Sequence, residues 1–183
     1  MWLMFAACCL APGSPEGVLP AQVIRVQTPR PKPNVTVGDT LTVSATPASV
    51  SFQLTPGSPA QASSVVSVTT TWTGISLLSS ITLSAYFASA TQALTGGSPV
   101  SSIPSSVVLG KVPSGLPTSF TPFTQTAPLG PVGSGLLLYS QTSVLSLGGS
   151  RTDALSLEID LTTLPQLPAA TYTGVLVLQA QAF

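Results

Sequence analysis

The chain has 183 residues, with five lysine or arginine and five aspartate or glutamate side chains, a formal net charge of zero and no histidine; this length suits one domain. Charged residues make up 5% against the ~25% of an ordinary globular protein, so solubility has to rest on serine and threonine hydroxyls. Clusters of lysine and arginine that neutralise phosphates or hold a chain to an anionic bilayer are missing, which excludes nucleic acid as an expected partner. Without histidine, the commonest general base, the commonest metal ligand and the Ser-His-Asp and Cys-His arrangements are missing too.

Trp2 to Ala11 is an apolar run, WLMFAACCLA, too short to span a bilayer and followed by the breakers Pro12-Gly13-Ser14-Pro15. It reads as the hydrophobic core of an export signal, with residues 1–21 as the leader. Both cysteines, Cys8 and Cys9, fall within it. The rest of the chain, residues 22–183, is then expected to hold together by core burial alone, with no disulfide and no thiolate metal site.

Gln22 to Gln27 is a short β-type run, and Pro29, Pro31 and Pro33 follow at every second position. Residues 22–33 are therefore expected to form a first strand and an extended, stiff connector. Val35, Val37, Leu41, Val43 and Ala45 share a parity, with Gly38-Asp39 as a bulge or turn between them. Val50, Phe52 and Leu54 alternate with polar residues up to the turn cluster Pro56-Gly57-Ser58-Pro59.

Val66, Val68, Thr70 and Trp72 oppose Ser67, Thr69 and Thr71, and Ile81, Leu83, Ala85 and Phe87 repeat the pattern. The two runs predict a hairpin around residues 74–79 with Trp72 in the core. Ala88 to Leu94 fits a helical turn or a strand end; Val107 to Leu109 and Phe120 to Phe123 are candidate edge strands among prolines. Leu136 to Tyr139 reads as a buried run, followed by Val144, Leu145 and Leu147. From Asp153 to Thr162 the alternation is strictest, with Leu155, Leu157, Ile159 and Leu161 against Ser156, Glu158, Asp160 and Thr162. After Pro165 and Pro168, Tyr172 to Ala182 is one long strand, apolar on both faces from Val175 to Leu178 as a mid-sheet strand is. The pattern predicts an all-β fold, a single immunoglobulin-like antiparallel sandwich of about eight to ten strands.

Chemistry-bearing residues are few. Glu158 and Asp160 share a strand face and, with Asp153, are the only carboxylates placed to bind calcium or act as a pair; a solvated face is the plainer reading. Arg151 lies next to Asp153 as a surface ion pair worth ~1 kcal/mol or less. Asn34-Val35-Thr36 fits the N-glycosylation pattern, and Gly130, Gly133 and Gly135 lack the lysine and helix of a phosphate loop. Tyr86 and Tyr139 are the aromatics that parity places for stacking on sugars, with residues at the rim of the core as the plainer reading. Tyr172 follows a proline corner, where its hydroxyl can bond back to nearby backbone. No catalytic, cofactor-binding or metal-binding residue is assigned.

Leu167-Pro168-Ala169-Ala170-Thr171-Tyr172-Thr173-Gly174 and the strand after it resemble the closing turn and strand of secreted bacterial β-sandwich proteins of the spore coat protein U and pilin-like kind, with Ala170 where glycine is usual. The resemblance implies a subunit of a surface fibre or coat without an active site. On that footing residues 22–27 are a candidate donor strand that completes a neighbour's sheet, against an ordinary first strand in the chain's own domain. The alternative is a polysaccharide- or receptor-binding adhesion module using loops around 95–105 and 110–131. A closed outer-membrane barrel fits poorly, because Phe183 shares its face with Gln181 and Gln179.

Overall fold

Alternating hydroxyl and apolar residues give each strand one face to bury, and two such faces must be closed against each other. The computed structural model describes residues 22–27, 40–75, 79–126, 129–142, 148–164 and 167–183. The expectations for the leader at 1–21, the connector at 28–33, Asn34-Val35-Thr36, Val37, Gly38-Asp39, Val144, Leu145, Leu147 and Pro165 fall outside these residues.

In chain order the strands are β1 (Gln22–Gln27), β2 (Thr40–Thr46), β3 (Ser49–Phe52), β4 (Pro59–Gln61), β5 (Val66–Thr73), β6 (Ile81–Phe87) and β7 (Leu94–Gly96). They continue with β8 (Ser101–Ile103), a 3-10 turn at Ser105–Val107, β9 (Val108–Lys111), β10 (Thr121–Pro122), β11 (Gly135–Gln141), β12 (Gly148–Asp160) and β13 (Tyr172–Ala182). One sheet has seven strands in the order β11-β6-β13-β1-β3, with the β7–β8 hairpin added beside β13; the other has six in the order β10-β9-β12-β5-β2, with β4 on β12. The chain is an all-β sandwich. The thirteen strands among the described residues exceed the eight to ten expected, because β4, β7, β8 and β10, two or three residues each, are too short to show a period.

The core lies between the sheets. Ile24, Phe52, Leu54, Ile81, Phe87 and Leu136 are among the side chains with 1% exposure or less, and Phe87 meets Phe123 edge to face at 5.2 Å between ring centres. Trp72 is buried as expected, against β12: a Cβ on Gly149, its cross-strand partner, would stand 2.6 Å from the indole ring. Only glycine leaves the ring that space.

Two expectations are corrected. β5 and β6 do not pair: β5 joins β2 and β12, β6 joins β11 and β13, and the segment between them crosses from one sheet to the other. Alternation fixes which face of a strand is buried; it says nothing about which strand lies alongside. The sandwich is also not wholly antiparallel, since β1 runs parallel to β13 from Val23↔Thr173 to Gln27↔Val177. β13 does hold a middle position, with β6 on one side and β1 on the other.

Candidate functional site

β1 is the element with functional promise, and its surroundings are built from both ends of the chain. It lies between β13 and β3, antiparallel to β3 from Gln22↔Phe52 to Arg25↔Ser49. The amide of Val26 donates to the carbonyl of Ala48 at 3.1 Å. Ile24 is fully buried and Val26 packs on the core, while Gln27 is exposed. The strand therefore contributes backbone bonds on both sides and an apolar anchor beneath, as an ordinary first strand in its own domain does.

β3 beyond it is closed off by a loop: Ser63 donates its amide to Ser51 O at 2.8 Å and accepts the Ser51 amide on Oγ at 3.2 Å. β11, at the opposite edge of this sheet, is closed in the same fashion. The Leu137 amide donates to Gln125 Oε1 at 2.8 Å, and Leu138 O accepts from the Leu116 amide at 2.8 Å. Side chains and loops thus occupy edge groups that otherwise invite a foreign strand.

Of the three carboxylates weighed as a calcium site or pair, Asp153 stands apart from Glu158 and Asp160. Asp153 points into the sandwich at 1% exposure, while Glu158 and Asp160 lie on the outer face of β12. Glu158 accepts from Gln61 Nε2 at 3.3 Å. Asp160 Oδ1 accepts from the amide of Thr162 at 2.9 Å and its hydroxyl at 2.6 Å, and these two bonds, the hydroxyl's first, hold its carboxyl below the ordinary value.

The Arg151–Asp153 pair is more than a surface contact. Arg151 Nη2 and Nε donate to Asp153 at 2.7 and 2.8 Å, and Ser114 Oγ donates to Asp153 Oδ1 at 2.9 Å. Arg151 Nη2 also donates to Ser114 O, and its guanidinium lies 4.1 Å from the centre of the Tyr139 ring. A bulge between Leu137 and Tyr139 sets Tyr139 opposite inward-facing Leu83, which aims the ring at the other sheet. The cluster is a clasp between β11, β12 and the loop after β9. The inward parity that Arg151 and Asp153 share with Leu155 was the available signal for it.

Tyr86 and Tyr139 are not free platforms for sugars. Tyr139 has a face covered by Arg151. Against Tyr86 lies Gly130, where a Cβ would stand 2.4 Å from Cγ of the ring, and the Tyr86 hydroxyl donates to Gln179 Oε1 at 3.2 Å. The supposed loops at 95–105 and 110–131 carry β7, β8, β9 and β10, with Ile103, Val112 and Phe123 fully buried. Gly130 and Gly133 take positive φ in a turn that leads into β11, a strand rather than a helix. Tyr172 does what its position predicts: fully buried, it donates its hydroxyl to Pro168 O at 3.0 Å.

No helix among the described residues is long and apolar enough to cross a membrane. The chain matches no protein-family model and no curated protein sequence.

Proposed function

We propose that this chain is a non-enzymatic exported or cell-surface protein, a structural subunit of a fibre or coat that joins its neighbours by strand addition through residues 22–27. The observation that carries the reading is the seat of β1 between the last strand and β3, with Ile24 in the core. Withdrawing a six-residue strand from that seat leaves two bare flanking strands. An identical strand from a second copy restores the same backbone bonds and the same apolar anchor.

Twelve residues, 28–39, join β1 to β2; fully extended they reach about 40 Å, enough to carry β1 to an adjacent molecule. The apolar leader and the resemblance at residues 167–174 to spore coat protein U and pilin-like sandwiches agree with this role. A near absence of ionisable side chains fits a protein that performs no turnover.

Electron microscopy of the purified, concentrated protein tests the proposal. Filaments or sheets are expected, shortened by an excess of synthetic peptide with the sequence of residues 22–27. A protein that stays monomeric when concentrated, with the amides of 22–27 protected from hydrogen exchange in that monomer, overturns it.

A further inference from the structure

The outer face of the six-stranded sheet carries a two-dimensional lattice of hydroxyls. Register places Thr40, Thr73 and Gly148 in one row across β2, β5 and β12, and Thr42, Thr71 and Ser150 in the next outward-facing row. Ser44, Thr69 and Thr152 make the third, and Thr46, Ser67 and Ala154 the fourth. Ten of these twelve positions are threonine or serine, and all but Thr69 are exposed. Thr69 and Thr152, in the middle, share a hydroxyl–hydroxyl hydrogen bond at 2.9 Å.

Strand geometry sets the repeat. Positions within a row are ~4.8 Å apart and successive rows ~6.7 Å apart, each within roughly a tenth of the oxygen repeats along the a and c axes of hexagonal ice. The face is three strands wide, so only two interstrand rotations accumulate across it. Threonine's branched Cβ restricts χ1, so each methyl and hydroxyl holds a fixed direction above the sheet. Among the described residues no charged side chain interrupts the array: Arg151 and Asp153 have the opposite parity, and the outward charges of β12 begin beyond it at Glu158. No aromatic among the described residues of β2, β5 and β12 stands on it either, since Trp72 points into the core. Sugar polymers are gripped by exposed aromatic faces; a bare hydroxyl and methyl lattice suits ordered water.

We infer that the outer face of β2, β5 and β12 is a binding surface for crystalline ice. The inference is independent of polymerisation and applies to a single domain.

The test uses the monomer fraction of the purified full chain, partitioned into slowly growing polycrystalline ice and scored for inhibition of ice recrystallisation. Enrichment in ice over a non-binding protein of similar size is expected. Thr71→Tyr, at the centre of the face, lowers it about tenfold with the melting temperature retained; Thr42→Tyr on the edge strand does the same should the central variant fail to fold. Ser140→Tyr, exposed on β11 of the other sheet, leaves it unchanged. Exclusion of the folded wild-type protein from ice overturns the inference, as does full enrichment of both threonine variants, or adsorption to crystalline cellulose or chitin in place of ice. Failure to form filaments leaves this outcome untouched, so the two proposals fail separately.

Discussion

Thr70 and Tyr172 each bury a hydroxyl, and they do so on opposite terms. Thr70, at 1% exposure, has no partner for Oγ1 among the described residues, whereas Tyr172 donates to Pro168 O. A buried hydroxyl without a partner costs its lost hydration. Thr70→Val, of the same shape, is expected to stabilise the fold by about 1 kcal/mol in urea unfolding, while Tyr172→Phe is expected to destabilise it by about 1–2 kcal/mol. Asp160 supplies a pH-dependent term. Its folded pKa lies below the ordinary 3.8 because Thr162 bonds the ionised form, so its stabilising contribution is present above 3.8 and disappears as pH falls through the depressed folded value. In Thr162→Val, NMR titration of the Asp160 carboxyl should show that pKa moved back up.

Among the elements, the clasp on β12 has the clearest energetic signature. Arg151→Met leaves the Asp153 carboxylate buried with Ser114 as its remaining side-chain donor. Breaking a buried pair from one side costs ~3–5 kcal/mol; the 29% exposure of the Arg151 side chain moves the expectation to about 2–3 kcal/mol through solvent screening. Arg151→Met with Asp153→Leu should recover most of the loss, a coupling that a double-mutant cycle in denaturant measures. The case also marks what was legible in the sequence. The parity of β12 and β5 gave their buried faces correctly, because period-2 alternation is a local record of which side meets the core. The pairing of β5 with β12 instead of β6, the parallel course of β1 and the inward turn of Tyr139 were not legible, since each depends on segments far apart in sequence. Single-residue charge rules put Arg151 and Asp153 at the surface for the same reason: the loop that covers them comes from residues 112–117.

At the scale of the molecule, β1 is the piece whose removal opens the middle of the seven-stranded sheet. A chain beginning at residue 28 is expected to lose cooperative thermal unfolding, because β13 and β3 lose the strand between them and Ile24 leaves the core. Added peptide of residues 22–27 should restore the transition, with the melting temperature rising as peptide concentration rises. The position of β13 has a bearing on biosynthesis as well. The seven-stranded sheet is organised about a strand that is synthesised after every other described strand, so a nascent chain emerging from the ribosome has β6 and β1 but nothing to stand between them. Such contacts, closed across most of the sequence, form slowly. A chain stalled before Tyr172 therefore offers proteases an unassembled sheet.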